Sequence, residues 1–283
     1  MTVRDLVEDL FAAHLDRLTT DPVRLQALVA LMEDVGVAEP TTRVTMAALR
    51  RDGAFAALRT GRETVYRPTD QQRAVRRGVE ERLAQRLQPW DGRWRMVIYS
   101  VPETDRAARE RVRRTLARHG FGMLAAATWI SAQEAALEEV RAALATEPLS
   151  RLDVLRASLA DADLPAGDPE LAARCWDLTA LAAEYRELGG ELRRLLAAQP
   201  VGAAALWAHL HVRRERRALL ARDPVLPPEL RPGRWPGQDA SQLWDDIEGP
   251  LSRAAHEHVA ARLREHGDTA GDQPGRTGEH LLR

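Results

Sequence analysis

The sequence predicts an α+β, helix-rich fold, with an N-terminal winged helix-turn-helix, a central ferredoxin-like domain and a C-terminal helical domain. Three observations carry this. Apolar residues recur at helical spacing through long Ala- and Leu-rich stretches. A hairpin pattern follows three helical ones near the amino terminus, and a strand–helix–strand–strand–helix–strand order fills the middle. The length of 283 residues exceeds one ordinary core and calls for domains of roughly 100 residues each.

Residues 1–70 form the first domain. Val3, Leu6, Val7, Leu10 and Phe11, then Leu15 and Leu18, repeat at helical spacing. A second helix is expected to start at Pro22, capped by Asp21, and to run through Leu25, Leu28, Val29 and Met32 to Gly36. In the third, Thr42, Thr45, Met46 and Leu49 make an inward stripe, so Arg43, Ala47, Arg50 and Arg51 point away from it. Gly53 stops this helix. A hairpin then turns at Thr60–Gly61–Arg62 and ends at Pro68.

In a winged helix the third helix enters the major groove and the wing lies along the adjoining backbone. That nominates Thr41, Thr42, Arg43, Ala47, Arg50, Arg51, Arg59 and Arg62 as the DNA-facing set, with Arg43 and Arg50 for direct base contact. Two readings of the residue types stand. The arginines either meet phosphates or solvate a helix face, and Thr41, Thr42 and Met46 either read thymine methyls or pack.

Charge supports the first reading locally. The net charge is -1 and the pI near 6.7, which argues against a wholly basic nucleic-acid binder. Yet residues 43–88 hold eleven Arg against five acids, whereas residues 1–42 hold three against eight. Screening over ~8–10 Å makes the near field count for more than the total. All 41 cationic residues are Arg, the planar forked cation suited to phosphate and carboxylate.

Cys175 is the single cysteine, which excludes intramolecular disulfides and thiolate-rich metal sites and makes the cytoplasm the expected compartment. No apolar run approaches the ~18 residues of a membrane span, and Arg4, Asp5, Glu8 and Asp9 occupy the place where a signal peptide is apolar. No cofactor, metal site or catalytic residue is expected.

The chain resembles the PaaX family of bacterial repressors, named for control of phenylacetate degradation. Three stretches carry the resemblance: LRTGRETVYRPT, the central WDGRWRMVIYSVPETDRAARERVRRTLARHGFGMLAAATWIS, and the late RDPVLPPELRPGRWPG. It departs at Ala47 and Ala48, where the family commonly has a small polar residue followed by Arg, so operator sequence or affinity is expected to differ. The family implies a homodimer on double-stranded operator DNA and no enzymatic activity.

Residues 71–89 are expected to hold a linking helix closed by Pro89, and residues 90–165 the central domain. There RWRMVIYSV reads as a strand, Thr104 to His119 as a helix capped by Thr104 or Glu103, GFGMLAAATWIS as one or two strands, Gln133 to Ala145 as a helix and RLDVLRAS as a strand. Trp90, Trp94 and Trp129 read as packing anchors. The PaaX central domain is similar to the small nuclease of CRISPR adaptation, which makes a metal-dependent nuclease the alternative function. That nuclease family places an Asp at the end of its first strand, where this chain has Ser100, with Glu103 and Asp105 following. A dimerising module without DNA binding is the other alternative.

Residues 166–266 form the helical effector and dimerisation domain. Leu171 to Leu196 reads as one long amphipathic helix, Gly202 to Arg222 as a second and Ala240 to His266 as the last. Five prolines and two glycines in DPVLPPELRPGRWPG make an ordered wrap between them. His209/His211 and His256/His258 are two apart, so on a helix each pair diverges and does not share one ion. By resemblance the effector is a small molecule of the acyl-CoA thioester class, phenylacetyl-CoA for the named member. Arg213, Arg214, Arg216 and Arg217 are the candidates for its phosphates, although family members often carry His and Tyr where this chain has Arg213 and Glu215. Residues 267–283 read as a disordered tail.

Overall fold

A computed structural model describes residues 2–74, 90–159 and 167–268. The chain is α+β and helix-rich, with two small antiparallel sheets. It divides into two compact units: residues 1–79, 188–215 and 240–283 make one, and residues 80–187 and 216–239 the other. Among the described residues no helix is long and apolar enough to cross a membrane.

In the first unit, α1 (Val3–Leu10) opens on a capping box: Thr2 Oγ1 accepts from the Asp5 amide at 3.2 Å, and Asp5 Oδ2 accepts from the Thr2 amide at 3.3 Å. A π-helical turn (Phe11–Leu15) follows and gives way to the short α2 (Asp16–Leu18). The Asp21–Pro22 pair does not begin a helix. Val23 and Arg24 instead form β1, paired with Tyr66 and Val65, and α3 (Leu25–Asp34) starts only after them.

Helix α4 (Glu39–Arg51) carries Pro40 in its first turn, where a missing amide hydrogen costs nothing. It ends where Gly53, at φ +74°, lets the Gly53 and Ala54 amides return to the Arg50 and Leu49 carbonyls at 3.1 and 3.0 Å. β2 (Phe55–Thr60) and β3 (Glu63–Pro68) then pair from Phe55↔Pro68 to Thr60↔Glu63, around a two-residue loop whose first residue, Gly61, has φ +63°. The sheet order is β1-β3-β2. Beneath it Leu10, Phe11, Leu28, Met32, Met46, Leu49 and Phe55 are buried, with the Phe11 and Phe55 rings edge to face at 4.8 Å.

In the second unit β4 (Trp94–Ser100), α5 (Arg106–Arg118), β5 (Gly122–Ala125), β6 (Thr128–Ser131), α6 (Glu134–Leu144) and β7 (Arg151–Ala157) follow in order, and the antiparallel sheet runs β5-β6-β4-β7. GFGMLAAATWIS thus holds two strands. Asp105, not Thr104 or Glu103, caps α5, its Oδ1 accepting from the Ala108 amide at 2.8 Å. Val97, Tyr99, Val112, Leu116, Trp129 and Val140 form the core between sheet and helices.

The expected helix from Leu171 to Leu196 is two. α7 (Asp168–Cys175) stops at Trp176, and Asp177 Oδ1 accepts from the Ala180 amide at 2.9 Å to start α8 (Leu178–Ala198). α9 (Gly202–Arg222) and α10 (Pro236–Glu265) complete the helices. Between them the proline-rich wrap is fixed in the second unit by Asp223. This carboxylate accepts from the Tyr185 hydroxyl and, at 2.6 Å, from the Val225 amide.

The linking helix expected over 71–88 lies, beyond Ala74, outside the described residues, as does the expected tail beyond Asp268. Gly267 and Asp268 themselves are ordered. The Asp268 amide donates to the Leu263 carbonyl at 2.9 Å and its carboxylate accepts from the Arg24 amide at 3.1 Å.

Candidate nucleic-acid interface

Helix α4 sorts its residues by side. Thr42, Met46 and Leu49 are 0 % exposed, and the Thr42 hydroxyl donates to the Ala38 carbonyl at 3.4 Å. Thr42 therefore packs, and its side chain leaves the DNA-facing set. Thr41, Arg43, Ala47, Arg50 and Arg51 are exposed. At 100° per residue, Ala47 and Arg51 lie opposite the buried stripe, while Arg43 and Arg50 flank it on one side.

Sequence reasoning missed Val44, a 70 % exposed apolar residue one helical turn from Ala47 on the outward ridge. Its signal was available: Val44, Ala47 and Arg51 fall at i, i+3 and i+7. An exposed β-branched residue flanked by arginines offers methyl contact beside charge, the combination that reads a thymine edge next to a phosphate.

Across the loop, Arg59 at the end of β2 and Arg62 in the turn are exposed. Among the described residues the guanidinium groups of Arg50, Arg51, Arg59 and Arg62 have no hydrogen-bond or ion-pair partner. Arg43 differs, because its Nε donates to Glu39 Oε1 at 2.7 Å one turn back. Such an exposed pair contributes about 0.3–0.5 kcal/mol, little against a phosphate contact.

Helix α4 is fixed from its far side. Arg4 Nη1 of α1 donates to Asp52 Oδ2 at 2.6 Å, just past the carboxy end of α4, where the carboxylate also lies beside Arg50 and Arg51 in sequence. Asp5 of α1 is held in turn by Arg214 Nη1 at 2.8 Å. Burial raises the Asp5 pKa, but hydrogen bonds from Arg214 and Thr2 outweigh it and bring it down to about 2.

The effector candidates occupy α9. Arg213 pairs with Glu248 at 3.2 Å and Arg214 with Asp5, both inside the first unit, whereas Arg216 and Arg217 belong to the second. None of the four stands without an interaction of its own.

For the nuclease alternative, Ser100 ends β4 and Asp105 is committed to capping α5. Among the described residues no group of three His, Cys, Asp or Glu is arranged to hold a metal ion.

Comparison with known proteins covers nearly the whole chain. Residues 4–72 match the family described as PaaX-like protein, residues 87–168 the PaaX protein central Cas2-like domain, and residues 176–261 the PaaX-like protein C-terminal domain. The chain is 28% identical over 261 residues to the transcriptional repressor PaaX of Escherichia coli (strain K12), a match that spans 88% of this chain and 80% of that one. A solved structure of an uncharacterized protein from Mycobacterium tuberculosis is similar at TM-score 0.63 and 25% identity, over 91% of this chain and 96% of the other.

Proposed function

Because the chain belongs to the PaaX family, whose members are transcriptional repressors and not enzymes, we propose that it represses transcription by docking α4 in the major groove of operator DNA with the β2–β3 hairpin as a wing. The observation that carries this reading is the set of guanidinium groups at Arg50, Arg51, Arg59 and Arg62, exposed on α4 and at the hairpin tip and without a partner among the described residues. Thr41, Arg43, Val44 and Ala47 complete the surface. Residues 94–157, with the strand order of a ferredoxin-like sheet, act as a spacer in this reading.

Two copies of the chain occupy two half-sites, and a small effector of the acyl-CoA class favours a geometry that no longer fits their spacing. Coupling requires the effector to bind that state more tightly than the DNA-bound one. Arg213, Arg214, Arg216 and Arg217 of α9 remain the candidates for its phosphates. The setting is cytoplasmic.

The test is a gel-shift titration on the DNA upstream of the protein's own gene, with and without a panel of acyl-CoA esters. A shift reversed by one ester is expected. No shift at low salt overturns the repressor reading, and a shift that no ester reverses overturns the effector.

A further inference from the structure

Three histidines distant in sequence meet inside the first unit. His14 comes from the π-helical turn, His209 from α9 and His256 from α10. His14 and His209 are 0 % and 1 % exposed, and His14 Nε2 lies 3.0 Å from His209 Nδ1. The His14 ring meets His209 edge to face at 4.9 Å and His256 at 4.6 Å. Facing this group are two cations, Arg17 beside the turn and Arg213 on α9, and the Glu248 carboxylate of α10, which lies 3.7 Å from His209 Nε2. His211 and His258, two positions along their helices, turn away to Glu191 and Asp34.

One set of tautomers accommodates the contacts within the cluster without a charged ring. His256 Nδ1 donates to the Ser252 carbonyl at 2.6 Å, so that nitrogen carries a proton. His209 Nε2 stands 3.7 Å from the Glu248 carboxylate, beyond hydrogen-bond reach, and a proton held on that nitrogen leaves His209 Nδ1 to accept from His14 Nε2–H. His14 Nδ1 is then a bare lone pair, and among the described residues neither it nor His209 Nε2 has a hydrogen-bond partner. His14 and His209 are neutral in this arrangement, and at His256 burial outweighs the Ser252 and Ala13 carbonyls that favour its second proton. One more proton makes a buried cation beside Arg17 and Arg213, with the Glu248 carboxylate facing the same group.

Position gives the cluster leverage. The π-helical turn interrupts the first helix at His14, and such turns are favoured where a helix serves a function. The same helix reaches α4 through Arg4 and Asp52.

We propose that His14, His209 and His256 form a proton-operated latch that packs the first helix onto α9 and α10 while neutral and releases it on protonation, loosening the support of α4. The latch is a property of this unit, and only its consequence, weaker DNA binding, rests on the repressor reading above.

The direction follows from linkage. Burial first, then the neighbouring histidine and arginine charges, hold His14 well below its ordinary 6.5, and burial also lowers His209 and His256. Above about pH 6.5 packed and released states are both neutral, and packing keeps its full advantage. Below it the released rings take up protons that the packed rings refuse. The balance moves toward release by up to about tenfold per pH unit for each histidine, until the packed-state pKa is reached.

The test is hydrogen exchange of the full chain from pH 8 to pH 5, corrected for the intrinsic rate, beside a gel shift on the upstream DNA at the same pH values. Peptides from 3–18, 202–215 and 248–263 are expected to lose protection together by at least tenfold below pH 6.5, while those of β4 and β7 do not. His14→Phe keeps a ring without a titratable nitrogen and is expected to flatten the dependence. Histidine ¹⁵N spectra of the unmodified protein, with the three rings neutral at pH 7 and gaining protons together as protection is lost, give the same answer without a variant. Unchanged protection down to pH 5, or an unshifted profile in His14→Phe, overturns the latch. Release without loss of DNA affinity overturns the coupling to α4. Absence of DNA binding even at pH 8, with the exchange result intact, supports the latch and sinks the repressor reading instead.

Discussion

Arg262 grips Asp34 with one edge of its guanidinium group, Nε donating to Oδ2 at 2.8 Å and Nη2 to Oδ1 at 2.6 Å, while His258 Nε2 sits 2.7 Å from the same Oδ2. The pair joins α10 to α3, the helix that packs beside α4, across 228 positions of sequence. Arg262→Met leaves a carboxylate that is 11 % exposed with one partner instead of two. The expected cost is about 1–3 kcal/mol, read as a lower urea midpoint of the unit. A full-size effect in Arg262→Lys as well supports the forked geometry as its source, because an ammonium group answers only one oxygen.

Acid should unfold this unit in a second stage, below the histidine range. Burial pushes the Asp34 carboxyl up, but Arg262 and His258 outweigh it and leave the pKa lowered. Against its own burial, Asp5 comes down to about 2 through Arg214 and Thr2. A depressed carboxylate contributes stability that is whole above its ordinary pKa near 4 and lost as pH falls through the folded value. Chemical denaturation at pH 5, 4 and 3 should show declining stability, with a shallower decline in Asp34→Asn. Equal slopes for variant and parent would dismiss Asp34 as a contributor.

On DNA the arginines should separate by their partners. Arg50→Ala is expected to cost ~1–3 kcal/mol if the side chain makes a bidentate base contact, whereas Arg59→Ala or Arg62→Ala should weaken all sequences alike and reduce the salt slope by about 1. Glu39→Gln offers the opposite sign. It frees Arg43 from its 2.7 Å pair and removes a negative charge from the first turn of α4, so affinity at low salt should rise. A fall in affinity would place Glu39 in the contact surface itself.

The readability of these features from sequence follows their range. The stripe of Thr42, Met46 and Leu49 and the Gly61 hairpin are set within a dozen residues, and periodicity and turn chemistry locate them. β1 is not local. Two residues, Val23 and Arg24, become a strand only because Tyr66 and Val65 come to lie beside them, and a helical pattern beginning at Leu25 masks the step. The histidines show the same limit from another side. Spacing of two correctly separates His209 from His211 and His256 from His258, one inward and one outward, but no pattern announces that the inward pair meets His14. At Trp176 the signal existed: Asp177 is a good cap, and the apolar periodicity running across it concealed the break.

Gly122→Ala provides a test of packing in the second unit that does not depend on the DNA reading. A Cβ at Gly122 in β5 would stand 2.6 Å from Trp176 Cε2 and 2.8 Å from Cys175 Cβ, closer than such atoms approach. The ring has little room to move away, for Trp176 stacks on Trp94 with centroids 6.1 Å apart, and Trp94 Nε1 is tied to Asp168 Oδ1 at 2.6 Å. Overpacking against a fixed ring costs about 1–3 kcal/mol. Cys175 reports the displacement directly. Burial pushes its thiol up to about 11, so at pH 8 only about one part in a thousand is thiolate and alkylation of the parent is slow. In Gly122→Ala the end of α7 must shift, and Cys175 should react several-fold faster alongside the lower urea midpoint. Trp176→Leu in the same chain makes space for the new methyl, so the double variant should lose less than the two single losses added together. Additive losses would mean that Gly122 and Trp176 do not meet.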